Sequence, residues 1–201
     1  MPDSAAAGGS GTPARGKRER LVGAARELVY RQGVERTTLA DIAEAADVRL
    51  GNVYYYFKTK DDLVAAVVQA HIGQLEAAFD ELERGHGDPG ARLKALLGLI
   101  AEQGAPMARF GCPYGSLCSE LTKRTEDVEP LAARLMRVLL DWSERQFRGI
   151  GRRDARDLAV EFVAGYQGSA VLAASLGEVD RRTGATEGRP RRIRGEGLTR
   201  P

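Results

Sequence analysis

Apolar positions recur at helical spacing along almost the whole chain, and no alternating run predicts a strand. Leu21, Ala24, Ala25, Leu28 and Val29 form a stripe that predicts a first helix over about 15–32, closed by Gly33 as a C-terminal cap. Thr38 followed by Asp41 is a capping pair that starts a second, short helix, with Leu39, Ile42, Ala43 and Ala46 on its inner face. Asp47 falls at a turn that needs left-handed backbone, which Asp tolerates better than most residues. Val48 and Val53 are the expected anchors of a third short helix. Thr59 and Asp62 repeat the capping pattern and open a long helix over about 60–84. Its expected buried side is Leu63, Val67, Ala70, Gln74, Ala77 and Ala78.

Gly85, Gly87, Pro89 and Gly90 break this pattern, and helices follow at about 90–104, 114–123, 126–149 and 154–176. Gly104, Pro106, Gly111 and Pro113 interrupt the second half, which suggests a kinked segment around a cavity. Neither end shows apolar periodicity. Residues 1–14 read as a disordered Ala/Gly/Ser arm and 177–201 as a basic disordered tail. The expected fold class is all-α.

The third short helix is unusual for its polarity. It carries Asn52, Tyr54, Tyr55 and Tyr56, with Arg49 at its head, more hydrogen-bonding tips than a buried helix would hold. Its spacing from the second helix suits a helix-turn-helix, in which one short helix braces another in the major groove of DNA.

Charge agrees with that placement. The net charge of the 201 residues is only +2, but residues 1–60 carry 10 Lys/Arg against 7 Asp/Glu, and residues 61–176 carry 13 against 17. The tail returns to excess base, with 7 against 4. A basic head on an acidic body fits nucleic-acid contact at one end. The tail either adds non-specific DNA affinity or is an ordinary solvated end.

Other classes lose ground on composition. No run of 18 or more apolar residues exists, so no membrane span is expected, and the N-terminus lacks the apolar segment of a secretory signal. The expected location is the cytoplasm. Two cysteines and two histidines, without metal-ligand spacing, predict neither a disulfide scaffold nor a structural metal site, and no cofactor is expected. No nucleophile–base grouping, phosphate-cradling glycine loop or paired-carboxylate arrangement stands out, so no catalytic residue is assigned.

TTLADIAEAADV, followed by VYYYFKTKDDL running into a long helix, resembles the DNA-binding domain of TetR-family transcriptional regulators over about residues 17–68. The resemblance implies a three-helix helix-turn-helix DNA-binding domain at 15–62. It also implies a larger helical ligand-binding and dimerisation domain at 63–176. The implied protein is a homodimer that binds a palindromic operator on double-stranded DNA as a repressor, and a small, apolar ligand releases it.

Residue by residue, the resemblance makes Thr38 a phosphate-contacting N-cap and puts Arg49, Leu50, Gly51 and Asn52 on the exposed face of the recognition helix. Tyr54, Tyr55 and Tyr56 match the aromatic run before Phe57, and Lys60 matches a basic residue that meets phosphate. Arg49 stands where the family prefers a small N-cap, and Asp47 replaces the usual glycine. The chemistry agrees: helix N-termini bind phosphate, Arg reaches phosphate or guanine, Asn pairs with adenine, and Tyr hydroxyls contact phosphate.

The second half carries weaker signals. Met107, Phe110, Tyr114, Trp142 and Phe162 are candidates for an apolar ligand pocket, with plain core as the alternative. Cys112 and Cys118 bracket Pro113 and Gly115, which allows a redox or electrophile sensor on the same scaffold. Free cysteines more often behave as small buried hydrophobes. Small residues from Ala164 to Ala174 permit close helix approach, either within the chain or across a four-helix dimer interface with the preceding helix.

Overall fold

The computed structural model describes residues 13–123 and 129–176. Residues 1–12 of the expected arm, the expected tail, and the start of the helix expected from 126 lie outside these, whereas residues 13–14, expected in the arm, begin the first helix. Among the described residues the chain is all-helical: α1 Pro13–Gln32, α2 Leu39–Ala45, α3 Leu50–Tyr56, α4 Lys60–Gly85, α5 Pro89–Glu102, α6 Gly104–Phe110, α7 Pro113–Leu121, α8 Glu129–Gly149 and α9 Ala155–Leu176. None of these helices is long and apolar enough to cross a membrane.

Local chemistry sets the boundaries of the first four helices. Gly33 ends α1 with φ +84°, and Asp47 adopts φ 51° between α2 and α3. Thr38 and Thr59 each complete a reciprocal capping box, with Asp41 and Asp62. The α1 stripe meets Ile42, Ala43, Ala46, Val48, Val53 and Phe57 in a small core that also takes Leu63, Val64 and Val67 from α4. That core continues without a break along α4 to Leu135, Leu139 and Trp142 on α8.

Two details depart from the expected pattern. The buried side of α4 is Leu63, Val64, Val67, Val68, His71, Ile72, Leu75, Phe79 and Leu82, whereas Gln74 and Ala77 are exposed. The face drifts around the helix because α1 covers its first half and α8 its second. Gln103 ends α5, and a separate short helix, α6, fills 104–110 before Gly111 turns the chain at φ +78°. Its length of about two turns gave no periodic signal.

α9 packs against α8 and α6 through Ala159, Val163 and Ala170. The rest of its surface leaves Val160, Val171, Leu172 and Leu176 exposed at 47–68%.

Candidate DNA interface and ligand cavity

α3 is held by one face and open on the other. Val53 is fully buried, while Arg49, Leu50, Gly51, Asn52, Tyr54 and Tyr55 are exposed. Arg49 occupies the N-cap without a side-chain capping bond, so its guanidinium is not used to close the helix. Tyr55 is 75% exposed. Tyr56 is different: it is half-buried, packs on the core and meets Tyr55 edge-on at 5.0 Å, so it supports the aromatic run from behind.

The surrounding turns are tied down by hydrogen bonds. Thr38 Oγ1 accepts from Asp41 N at 3.1 Å while Asp41 Oδ2 accepts from Thr38 N at 2.9 Å. Those bonds hold the Asp41 carboxyl below its usual range. Lys60 Nζ donates to the Glu35 carbonyl at 3.1 Å, linking the start of α4 to the α1–α2 turn. Lys58 Nζ donates to the Tyr54 carbonyl at 3.0 Å, and Arg20 reaches the Asp47 carbonyl at 3.3 Å. Lys58 and Arg20 thus brace the two ends of the α3 segment. Their signal in the sequence was only a scatter of basic residues. Thr37 is buried and donates to the Gly33 carbonyl at 2.7 Å, which fixes the turn before Thr38.

A cavity of ≈ 550 Å³ lies among the end of α6, α7, α8 and α9. Phe110, Cys112, Gly115, Cys118, Met136, Gln167 and Val171 are on its wall, which is mostly apolar. Of the five aromatic and Met candidates, Phe110 alone lines it. Met107 is buried beside it with Cys112 and Ala170, and Tyr114 packs against that cluster. Trp142 lies elsewhere, fully buried, stacked on Phe79 at 4.4 Å, with its indole N–H given to Glu83 at 2.9 Å. Phe162 pairs edge-on with Phe147 at 6.0 Å. Helical spacing alone did not separate these two core rings from cavity wall, because α8 buries Trp142 against α4.

The two thiols also differ. Cys112 caps α7, accepts from Gly115 N at 3.4 Å and lies 2.6 Å from the Tyr166 hydroxyl. Cys118 donates to the Ala132 carbonyl, and burial pushes its thiol up to about 11. Both are free. No group of three or more His, Cys, Asp or Glu suited to a metal ion occurs among the described residues.

Residues 21–67, which run from α1 through the braced α2–α3 pair into α4, match the family model for bacterial regulatory proteins of the tetR family. Residues 21–67 thus carry the DNA-binding domain of the TetR family. A helix-turn-helix transcriptional regulator encoded near lacX in Lactococcus lactis subsp. lactis is 32% identical over 116 residues, covering 56% of this chain and 59% of that protein. The transcriptional repressor DhaR of Mycobacterium sp. (strain GP1) is 28% identical over 163 residues, covering 76% of this chain and 79% of DhaR. Five curated relatives are matched over only 34–59% of their own length. A TetR-family regulator from Agrobacterium tumefaciens superposes with TM-score 0.72 at 27% identity, covering 84% of this chain and 95% of that one. The matched helices precede a larger helical region, the arrangement of the TetR-fold neighbours.

Proposed function

We propose that the protein is a repressor that binds a palindromic operator as a homodimer and is released by a small apolar ligand. The observation that carries this reading is the division of α3, fully buried at Val53 and open at Arg49, Asn52, Tyr54 and Tyr55. Asn52 and Arg49 are the base-reading residues, and Gly51 lets the helix approach the groove. Thr38, Tyr54, Tyr55 and Lys60 hold phosphates, and Tyr56 backs them. The exposed apolar side of α9 supports a two-fold interface with a second copy, since Val160, Leu172 and Leu176 have no cover among the described residues. The ≈ 550 Å³ cavity is of the size that holds a small organic molecule, and its wall asks for an apolar one. No catalytic step is assigned. The resemblance of DhaR, itself named a repressor, supports repression over activation.

The test is selection of bound fragments from DNA flanking the gene, then measurement of affinity against salt. The reading requires sequence-specific, salt-sensitive binding at a two-fold symmetric site, with log K falling steeply as log salt rises. Uniform affinity for all fragments would contradict it.

A second reading is favoured by Cys112 alone. Its Sγ stands on the cavity wall, with a hydroxyl and a helix N-terminal amide beside it. An apolar enone entering the cavity would be attacked at its β-carbon: the Sγ–H bond breaks and gives its proton to water, the Sγ–C bond forms, and the alkene electron pair moves to the α-carbon, which takes a proton back from water. Cys118, with its raised thiol, remains protonated at neutral pH and takes no part. Loss of enone response in Cys112→Ser, with operator binding kept, decides for this reading; an unchanged response excludes it.

A further inference from the structure

A second cavity, of ≈ 290 Å³, lies where α1 meets α4 and α7, separate from the apolar one. Arg26, His71, Gln74, Gln103 and Tyr114 are on its wall. His71 is 6% exposed, yet its Nδ1 has no hydrogen-bond partner. A buried polar atom left in this state costs about 1–3 kcal/mol. Among the described residues Arg26 has neither a hydrogen bond nor an ion pair, although its side chain is half-buried beside that imidazole. The carboxylate on the same wall, Glu27, is held by Arg31 at 2.5 Å. An unpaired guanidinium and an unpaired ring nitrogen at one cavity describe a site for an anion with a planar, two-oxygen head.

We infer that this cavity is an effector site for a small organic carboxylate, which the Arg26 guanidinium grips in a two-bond fork and the His71 Nδ1–H completes. The ring of Tyr114, edge-on to His71 at 5.2 Å, faces the hydrocarbon part of the ligand. Tyr30 is excluded as a donor because its hydroxyl is given to the Gly111 carbonyl at 2.9 Å. Because α1 belongs to the DNA-binding helices and α4 and α7 to the larger region, occupancy ties the two together. Burial and Arg26 hold His71 neutral, at about 4. A bound carboxylate opposes the second of these causes, so affinity rises as pH falls toward 5. The other titratable groups facing the site are Glu27 and Tyr30 from α1 and Tyr114 from α7, and burial raises the pKa of both tyrosines, which stay neutral there.

The test is a nuclear magnetic resonance titration of the full chain, in which His71 and His86 are the two histidines. Benzoate and hexanoate serve as probes, benzamide as the neutral control and sulfate as the inorganic anion. Benzoate or hexanoate should shift the His71 ring signals saturably at millimolar concentration, leave those of His86 in place and raise the His71 pKa. Benzamide should do nothing. Arg26→Gln should weaken binding about tenfold or more. Arg26→Lys, which keeps the charge without the fork, should give a smaller loss and serves if the Gln variant does not fold. No saturable shift with either carboxylate, an equal response to benzamide or sulfate, or unchanged affinity in the Arg26 variants would each overturn the inference. None of these outcomes depends on operator binding or on the apolar cavity.

Discussion

Glu120 on α7 accepts a 2.6 Å hydrogen bond from the backbone amide of Val34, in the turn that joins α1 to α2. The neighbouring Gly33, at φ +84°, lets that turn lie against the carboxylate: a Cβ there would stand 3.1 Å from both of its oxygens. Ser116, Cys118 and Ser119 of the same helix line the apolar cavity. That bond ties the cavity helix α7 to the turn preceding Thr38.

Removing that carboxylate leaves a buried amide unsatisfied, since Val34 is fully buried. Glu120→Ala should lose about 1–3 kcal/mol in urea unfolding. Glu120→Gln, which retains an acceptor, should lose less. In both variants, operator release by a ligand of the apolar cavity should weaken relative to binding itself; equal stability in Glu120→Ala would refute the role of the bond.

His71 predicts a dependence of stability on pH. Its folded pKa is depressed from 6.5 to about 4, with desolvation the first cause and Arg26 the second. The unfolded chain therefore takes up the proton first. Stability is complete above pH 6.5 and declines as pH falls toward 4. At pH 5 the loss from this group is about 2 kcal/mol. The difference in unfolding free energy between pH 7 and pH 5, read by urea denaturation, should shrink by that amount in His71→Phe.

Much of the DNA-binding half was legible because its signals are local. Thr38 with Asp41, Thr59 with Asp62, Gly33 and Asp47 act within a few residues of themselves, and each sits where its side chain and backbone preference require. Tyr56 was less legible, because periodicity does not say that the last of three adjacent tyrosines turns back onto the core. Trp142 and Phe162 were not separable from cavity wall, since that depends on which distant helix covers them. His71 gave no warning at all. Its orphaned nitrogen and the unpaired Arg26 meet only when α1 is laid across α4.

The caps themselves are testable. Thr59→Ala removes the side-chain acceptor for Asp62 N at 3.0 Å and the reciprocal geometry at the head of α4. The expected cost is about 1 kcal/mol, within a range of roughly 0.5–2. In a chain of this size that lowers Tm by roughly 2–4 °C, read by calorimetry.

The exposed side of α9 predicts assembly. Leu172 and Leu176 are 61% and 68% exposed on the side of α9 away from the cavity. Leu172→Glu together with Leu176→Glu should convert a dimer to a monomer in sedimentation equilibrium, with helix content unchanged by circular dichroism. Operator affinity should fall with it, because each protomer then engages one half-site. A double variant that sediments as the wild type would place the interface elsewhere.

Base reading by the open face of α3 stands or falls on Asn52. The measurement is anisotropy of the selected operator and of its single-base variants, at fixed salt, with wild type and Asn52→Ala. The account predicts a loss of about 1–3 kcal/mol on the operator, and a loss of discrimination at one base step in each half-site. Binding to unrelated DNA should be unchanged. If Asn52→Ala keeps the full base preference of the wild type at every position, α3 does not read the sequence as proposed.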